Sequence, residues 1–596
     1  MTDHVLEGLD ERQREAATTL RGPVVVLAGA GTGKTRVITR RIAHGVDTGA
    51  YSPNRVMAVT FTAKAAGEMR GRLRALGVEG VAARTFHAAA LAQLNFFWPT
   101  LTGDTVPTIV DNKVRLLAHA ADGLGIDPDV ATLRDVASGI EWRKVTLRSI
   151  DAYLLERPKG VGRLEAGRVA DLHRAYEKLK DERRQLDFED VLLACCGMLE
   201  AEPQVVKAVR EQYRHFTVDE FQDVSPLQHR LLELWVGDRK DLCVVGDASQ
   251  TIYSFAGADA RFLLEFASRY ENAKTVRLEK NHRSDAPILA VANALMRDRP
   301  GALVLTSARA EADSAGADSA EAVEPPTATS YADDVAEARG VADRIRRQLE
   351  SGVDPRRIAV LYRAHAQSAE IVKALADAGI ATSVLGGRRF FDIPEVRQAV
   401  MALRAAAVAP IDTGFLDTVR DVLRNLGLTS EPPEAGGALR DAWEARAALL
   451  RLAEEAPAGT SLRSFSDDLV ARAKALDEPA LRTVTLATLH AAKGLEWDHV
   501  HLVGLAEGLL PIGYATTFEQ VDEERRLAYV GITRAARTLS LSWSPGLRGR
   551  APSRFLREIG SGTLRVVDGS ASSAPRSRRG SSGTAPTGVR GDAPRR

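Results

Sequence analysis

The sequence is poor in cysteine, with only Cys195, Cys196 and Cys243 among its 596 residues. Three thiols make neither a disulfide framework nor a zinc site, and they favour a reducing compartment. No run of roughly 18 or more apolar residues occurs, and the first residues lack the pattern of a signal peptide. We therefore expect a soluble, cytoplasmic protein that has no membrane partner.

The sequence also lacks an excess of either charge. It has 80 Lys and Arg residues against 79 Asp and Glu residues, for a net charge of +1. No overall basic field attracts nucleic acid, so any surface that binds a polyanion must be local. The hydrophobic content of 45% and the charged content of 27% are typical of globular protein. Several domains are expected, because a chain of 596 residues is too long for one core.

A glycine-rich stretch follows the first strand pattern. The apolar run 23–27 predicts a buried parallel strand, and the next eight residues read Ala-Gly-Ala-Gly-Thr-Gly-Lys-Thr. In such a phosphate-binding loop, backbone N–H groups approach a phosphate chain, the lysine supplies charge and the last hydroxyl holds Mg²⁺. We therefore expect a nucleotide and Mg²⁺ as ligands. The residues predicted to bind the nucleotide are Ala28, Gly29, Ala30, Gly31, Thr32, Gly33, Lys34 and Thr35, of which Thr35 also binds the metal.

Two later strand patterns end in side chains suited to hydrolysis. Asp219 and Glu220 follow a short apolar strand, and this pair predicts a Mg²⁺ ligand beside a carboxylate that activates water. Gln250 follows the next strand and is placed to sense a γ-phosphate. Arg283 is a candidate arginine finger, and the paired amide groups of Gln13 suit an adenine edge.

Aromatic residues lie near other strand ends. Phe61 is flanked by threonines directly after a predicted strand, and Tyr253 and Phe255 lie two residues apart. Because ligands bind at the carboxyl ends of strands in α/β sheets, these rings are candidates for stacking on single-stranded bases.

The sequence pattern divides the chain into α/β and helical segments. An α/β pattern covers residues 1–90 and 188–274, and a second one covers residues 275–375 and 480–565, beginning with a strand at 275–278. Mostly helical segments at 91–187 and 376–479 read as insertions into these two domains. Residues 307–328 have the composition of a disordered loop, and residues 566–596 that of a disordered basic tail. Arg534 is expected on an amphipathic helix.

Taken in order, these stretches resemble the UvrD/Rep/PcrA family of superfamily 1 DNA helicases. The most specific segments are 28–35, 218–223, 246–255, 490–497 and 523–535, and the resemblance extends to about residue 560. It implies an α/β fold of two RecA-like parallel-sheet domains, of the phosphate-loop NTPase type, with ATP between them and a helical insertion in each.

The resemblance also implies roles for individual residues. Lys34 would contact the phosphates, Gln13 the adenine and Glu496 the ribose, while Thr35 and Asp219 would hold the metal and Glu220 the water. The residues implied to surround the γ-phosphate are Gln250, Arg283 and Arg534. The residues implied to face single-stranded DNA are Thr60, Phe61, His87, Tyr253, Phe255, Arg363 and His490.

Three features depart from the family pattern. His282 replaces a tyrosine that stacks on adenine, Ala256 replaces an arginine beside the DNA, and the second insertion is short. The leading interpretation is an ATP-dependent helicase that moves 3′→5′ on single-stranded DNA, unwinds 3′-tailed duplexes in repair or recombination, and is a monomer or weak dimer. One alternative is a translocase that strips proteins from DNA but unwinds poorly. Another is a binding module in which the nucleotide only switches DNA affinity, although adjacent Asp219 and Glu220 disfavour it.

Overall fold

The structure is a computed structural model. It describes residues 3–309, 325–385, 390–407, 414–431, 433, 438–457, 459–474, 483–547 and 549–569. Most of the predicted loop at 307–328 and the predicted tail from residue 570 onward lie outside the described residues.

The elements alternate between strands and helices along most of the described chain. The strands are β1 (Val24–Ala28), β2 (Val56–Thr60), β3 (Ala82–Thr85), β4 (Thr108–Ile109), β5 (Gln185–Leu186), β6 (His215–Val218), β7 (Leu242–Gly246), β8 (Lys274–Leu278), β9 (Lys280–Asn281), β10 (Thr306–Ser307), β11 (Thr327–Ser330), β12 (Ile358–Tyr362), β13 (Thr382–Leu385), β14 (Val484–Thr488), β15 (Trp497–Leu502), β16 (Ala535–Trp543) and β17 (Arg565–Asp568).

The helices cover both RecA-like sheets and form the two insertions. They are α1 (Asp3–Leu6), α2 (Glu11–Thr18), α3 (Lys34–Asp47), α4 (Ala63–Ala75), α5 (Phe86–Thr102), α6 (Lys113–Gly123), α7 (Val130–Val145), α8 (Ile150–Glu156), α9 (Ala166–Arg183), α10 (Phe188–Ala201), α11 (Pro203–Gln212), α12 (Pro226–Val236), α13 (Arg261–Leu264), α14 (Phe266–Arg269), α15 (Ala286–Leu295), α16 (Asp334–Glu350), α17 (Ser368–Asp377), α18 (Pro394–Ala406), α19 (Phe415–Asn425), α20 (Ala438–Glu454), α21 (Leu462–Lys474), α22 (Phe518–Ile532) and α23 (Arg554–Ile559). Within the described ranges, none of these helices has the length and apolar character needed to cross a membrane.

The first sheet has six parallel strands in the order β3-β2-β6-β7-β1-β8. Strand β1 lies inside the sheet between β7 and β8, with Val25 opposite Val244 on one side and Thr275 on the other. Val24 and Val26 pack into one hydrophobic cluster and Val25 into another, because successive strand residues point to opposite faces. Burial on both faces explains why β1 reads as a continuous valine run.

The second sheet has seven parallel strands in the order β13-β14-β12-β15-β16-β11-β17. Its central strand β12 also alternates, with Val360 facing one cluster and Leu361 the other. The cluster around Leu361 also contains Ala30 and Ile252, which follow strands of the first sheet. Apolar packing therefore joins the two sheets next to the phosphate-binding loop.

The helical insertions have their own apolar cores, one among α6, α7 and α9 and one among α18 to α21. They also contact each other. Arg134 on α7 lies 2.8 Å from Glu395 on α18, and the Leu439 N–H donates to Asp135 over 3.1 Å.

The structure corrects four predicted boundaries. The strand predicted to open the second domain is β8, which pairs with β1 in the first sheet. The predicted boundary at 91 falls inside α5, whose Phe86 and Leu94 pack in the core of the first domain. The boundary at 376 is too early, since β13 pairs with β14, and the predicted tail begins too early, since β17 pairs with β11.

Candidate nucleotide and nucleic-acid site

The phosphate-binding loop connects β1 to α3, which begins at Lys34. Gly33 caps this helix with φ of 82°, in the left-handed region that glycine adopts without strain. Gly31 also has positive φ, and a Cβ there would lie 2.5 Å from the side-chain Nδ2 atom of Asn281. Glycine is thus required at Gly31 both by its conformation and by the close approach of another segment.

The environment of the Lys34 ammonium group indicates whether the loop can bind a phosphate. Its Nζ atom is buried and has no hydrogen-bond partner among the residues that the structure describes. A buried ammonium without a partner is costly, and a phosphate oxygen supplies the missing acceptor and the opposite charge. The loop therefore suits the phosphate chain of a nucleotide.

Asp219 and Glu220 lie at the carboxyl end of β6, where Asp219 is buried and Glu220 is half-buried. Burial raises the pKa of Asp219 to about 7, and the neighbouring Glu220 charge adds to this rise. Burial also opposes ionisation of Glu220, but Lys34 and Lys493 outweigh it and hold its pKa at about 2. The pair thus has one strongly ionised carboxylate beside one that gains from a further cation, which suits a metal ligand.

Gln250 lies directly after β7 and is 4% exposed. Its side-chain amide donates to Asp247 over 2.7 Å, and Gln222 donates to Glu220 over 2.5 Å. These contacts hold Gln250 and Glu220 on neighbouring strand ends. The predicted hydrolytic residues therefore lie together at the carboxyl ends of β1, β6 and β7. We call this end of the sheet the hydrolytic edge.

Arg283 and Arg534 both lie beside this edge. Arg283 pairs with Glu496 at 2.6 Å, and its Cβ lies close to Gly31 of the phosphate-binding loop. Arg534 is 2% exposed, and burial together with the nearby Arg283 lowers its pKa to about 9. Its charge also lowers the pKa of Glu220. Arg534 lies between α22 and β16 and not on the predicted helix, because α22 ends at Ile532.

Gln13 reaches the loop from α2. Its amide donates to the Thr32 carbonyl over 2.9 Å, and His282 Nε2 lies 3.2 Å from the same amide nitrogen. His282 Nε2 also lies 3.1 Å from Asp10. The residue that departs from the family pattern thus lies beside the predicted adenine contact.

Four of the predicted DNA-facing residues form an aromatic platform, which we define as Phe61, Tyr253, Phe255 and His490. The rings of Phe61 and Tyr253 are stacked with centroids 5.5 Å apart, and Phe255 lies 6.0 Å from Tyr253 and 5.8 Å from His490. Phe61 and Phe255 are 42% and 64% exposed. Burial lowers the pKa of His490 to about 3, so this ring is neutral at physiological pH.

The other three predicted DNA-facing residues, Thr60, His87 and Arg363, are not part of this platform. Thr60 is 1% exposed at the end of β2. The His87 ring packs 4.3 Å from Phe188, and burial lowers its pKa to about 4. Arg363 binds Glu524 through two nitrogens at 2.8 to 3.0 Å. The structure therefore leaves Thr60 and Arg363 little surface with which to meet a ligand.

Lys493 is a site residue that the sequence analysis missed. Its ammonium donates to Asp223 over 2.5 Å and to the Gln250 carbonyl over 2.7 Å, and lies 4.9 Å from the centre of the Tyr253 ring. It therefore connects the aromatic platform with the hydrolytic edge. Its position inside the specific stretch 490–497 was the only sequence feature that pointed to a role. Its hydrogen-bond partners Asp223 and Gln250 are more than 240 residues away along the chain, so local sequence could not identify them.

The chain matches the family model of the UvrD/REP helicase N-terminal domain over residues 9–271 and that of the UvrD-like helicase C-terminal domain over residues 276–427 and 450–546. It belongs to the UvrD-like helicase family. The resemblance to this family is thereby confirmed, and so is the predicted fold class of two RecA-like domains with helical insertions.

Three curated relatives of this UvrD-like helicase cover most of its length. ATP-dependent DNA helicase UvrD2 of Mycobacterium tuberculosis (strain ATCC 25618 / H37Rv) is 45% identical over 583 residues, which are 94% of this chain and 82% of the relative. DNA helicase II of Escherichia coli (strain K12) is 31% identical over 93% of this chain and 88% of the relative. ATP-dependent DNA helicase PcrA of Leuconostoc citreum is 30% identical over 93% and 85%.

Proposed function

We propose that this UvrD-like helicase hydrolyses ATP with Mg²⁺ and uses the cycle to move 3′→5′ along single-stranded DNA, unwinding 3′-tailed duplexes in repair or recombination. Family membership supports the reaction class, and the names of all three relatives describe DNA helicases. The observation that carries the proposal is the direct contact of Lys493 with Gln250 and Asp223 beneath the aromatic platform.

The residues of the hydrolytic edge have separate tasks in this proposal. Lys34 and the loop amides bind phosphates, and Thr35 and Asp219 would hold Mg²⁺, which would supply positive charge to the phosphate chain. Glu220 accepts a proton from the attacking water, a role that suits a carboxylate kept ionised by its surroundings. Arg283 and Arg534 neutralise charge on the transferred group and Gln250 hydrogen-bonds it, while Gln13 and Glu496 position the nucleoside.

The aromatic platform supplies the mechanical part of the proposal. Phe61, Tyr253 and Phe255 follow strands of the first sheet, and His490 follows β14 of the second. A change in the spacing between the two sheets moves His490 against the other rings and thereby alters the grip on stacked bases. Because Lys493 follows His490 on the same turn, that spacing also changes the contacts of Gln250.

We further propose four structural parts, with the boundaries moved to agree with the sheets. The first RecA-like domain takes in α5 and β8, the second takes in α17, β13 and β17, and the helical insertions lie between these elements. A monomer or weak dimer is the proposed state.

Strand-displacement assays with 3′-tailed and 5′-tailed duplexes test the function. The proposal expects ATP-dependent displacement on the 3′-tailed duplex and little on the other. Preference for the 5′ tail contradicts the polarity. ATP hydrolysis stimulated by single-stranded DNA without displacement of either duplex favours the translocase that strips proteins from DNA.

A further inference from the structure

A basic groove lies at the amino ends of the first sheet's strands, at the edge opposite the phosphate-binding loop. It has a volume of about 800 Å³, and its lining includes seven Lys or Arg residues against two carboxylates. The cations come from segments that immediately precede β1, β2, β6 and β7 and from α11. In a chain with a net charge of +1, this is a strong local concentration of positive charge.

Three of these cations are available to a ligand. Arg55, Lys207 and Arg214 are exposed, and their side chains have no hydrogen bond or ion pair within the described ranges. Arg55 and Arg214 are neighbours across two strands, because the Arg214 N–H donates to the Arg55 carbonyl over 2.8 Å. The residues that follow Arg55 and Arg214, which are Val56 and His215, pair between β2 and β6.

The remaining charges of the groove are largely engaged within the protein. Arg210 and Arg239 donate to backbone carbonyls at the ends of α11 and α12, including that of Leu234. Asp241, one of the two carboxylates, pairs with Arg21 at 3.3 Å and accepts from the Gly22 N–H over 3.0 Å. The three exposed cations therefore share the groove with one exposed carboxylate, that of Glu211.

Two further features of the lining concern its charge. His215 lines the groove, is 8% exposed, and has its buried Nδ1 atom 3.6 Å from the carboxylate of Asp241, which is therefore engaged within the protein. The pKa of Arg239 is lowered by burial and by the charges of Arg210 and Arg214. An anion in the groove relieves this repulsion between cations.

The shape and composition of the lining favour a single nucleic-acid strand. A protein partner needs apolar or aromatic anchors, and the groove offers mainly Ala50, Pro203 and Val206. A flexible single strand can follow cations that successive loops contribute around one groove. No exposed ring lines the groove for base stacking, so binding rests on phosphates alone.

We propose that this basic groove is a second binding site for single-stranded DNA, held through its phosphates by Arg55, Lys207 and Arg214 and separate from the aromatic platform. Because it contacts only phosphates, this site binds the DNA strand independently of the base sequence. It provides an anchor at the opposite edge of the domain that carries the hydrolytic residues.

The test compares the full chain with the triple variant R55S/K207S/R214S. Binding is measured by fluorescence anisotropy at several salt concentrations, on a long single strand, a short oligonucleotide that covers only the aromatic platform, a blunt duplex and polyglutamate. The matched control R339S/R557S/R565S removes three exposed cations of the second domain whose side chains also have no hydrogen bond or ion pair within the described ranges. Thermal unfolding verifies that each variant is folded.

For the long single strand, we expect weaker binding and a slope of log K against log salt that is smaller by about 2, at about 0.7 per lost phosphate contact. The short oligonucleotide should bind all three proteins equally. An unchanged slope for the triple variant, an equal loss in the control, or a loss confined to the duplex or to polyglutamate overturns the proposal. ATP hydrolysis by the unsubstituted protein with and without DNA tests the proposed function separately.

Discussion

Glu220 is the residue on which turnover is expected to depend. Its neighbours hold it ionised in spite of burial, so E220Q removes the proton acceptor while keeping size and the hydrogen bond with Gln222. We expect ATP and DNA binding close to normal and ATP hydrolysis reduced by roughly 10²-fold or more, the scale of general base catalysis. Steady-state hydrolysis and nucleotide binding measure the two effects. The exposed E68Q is the control, and unchanged turnover in E220Q removes Glu220 from the mechanism.

Arg534 is expected to act on the transition state. Its side chain donates to the carbonyls of Val530 and Leu495 over 2.9 and 3.1 Å, which fixes the guanidinium beside the hydrolytic edge. R534A should lower the hydrolysis rate by roughly 10³-fold, the scale of an arginine finger. DNA affinity should be almost unchanged, because the aromatic platform is intact.

The companion variant R534K separates charge from geometry. Lysine keeps a positive charge but cannot reproduce the guanidinium's fixed set of donors. We expect R534K to remain far below the parent rate, and circular dichroism checks that both variants are folded. A rate for R534A within a few-fold of the parent contradicts the proposed arrangement of the site.

The 3-10 turn Ser254–Ala256 carries the most exposed ring of the aromatic platform, Phe255. Base stacking on an aromatic side chain contributes about 1–3 kcal/mol per base. F255A should therefore weaken single-strand affinity by about 5- to 150-fold in anisotropy titrations. F96A, which removes an equally exposed ring from α5, should leave that affinity unchanged. Equal losses in both variants contradict a specific platform.

The first insertion is held to the first domain by a buried group of charges around Lys144. This ammonium contacts Asp187 at 2.7 Å and Asp190 at 2.6 Å, and its side chain is 3% exposed. K144A removes one of the two ammonium groups that contact these carboxylates, the other being that of Lys180. It should cost about 1.5–3 kcal/mol of unfolding free energy, the scale of hydrogen bonds to charged groups. Urea unfolding measures this change. K178A, at an exposed position on α9, is the control and should have little effect.

The same cluster predicts how stability depends on pH. Burial raises the pKa of Asp187, but Lys144, Lys180 and Lys113 outweigh burial and hold it well below the ordinary value. Since the folded-state pKa is the lower one, this stabilisation is present above the unfolded-state value near 4 and is lost as the pH falls below it. Urea unfolding at pH 7 and at about pH 3, which is below the unfolded-state value, should show a smaller loss of stability on acidification in K144A than in the parent.

Local sequence was sufficient for the parts of the site that lie at strand ends. The glycine-rich loop, the Asp219-Glu220 pair and Phe61 each follow a strand directly, so their common edge could be predicted from parallel pairing. Arg363 could not be placed, because its partner Glu524 lies 161 residues further along the chain. The sequence also could not show to which sheet β8 and β13 belong, because a short strand pattern does not indicate its pairing partner.

Across the whole molecule, side chains of the second domain contact the first domain around the platform. Glu523 on α22 accepts hydrogen bonds from the backbone and hydroxyl of Ser254, and Arg526 donates to the Thr251 carbonyl over 2.8 Å. Arg283 and Glu496 form a further pair at the phosphate-binding loop. The turn that carries Phe255 is thus held from the opposite domain, so a movement between domains reaches the platform directly.

Lys493 makes the connection between hydrolysis and DNA testable. K493M removes the ammonium that joins the Gln250 carbonyl, Asp223 and the Tyr253 ring, while leaving the catalytic carboxylate and the rings in place. Coupling between sites is typically about 1–3 kcal/mol, or about 5- to 150-fold. We therefore expect the stimulation of ATP hydrolysis by single-stranded DNA to fall at least about fivefold.

The matched control for this coupling is K274M, which breaks an ion pair with Glu15 at the surface of the first domain. Its stimulation ratio should equal that of the parent, as measured by hydrolysis rates at saturating DNA. If K493M also keeps the parent's ratio while binding DNA normally, the platform and the hydrolytic edge communicate by another route. If instead the ratio falls together with DNA affinity, Lys493 acts in gripping the strand and not in transmitting its presence to Gln250.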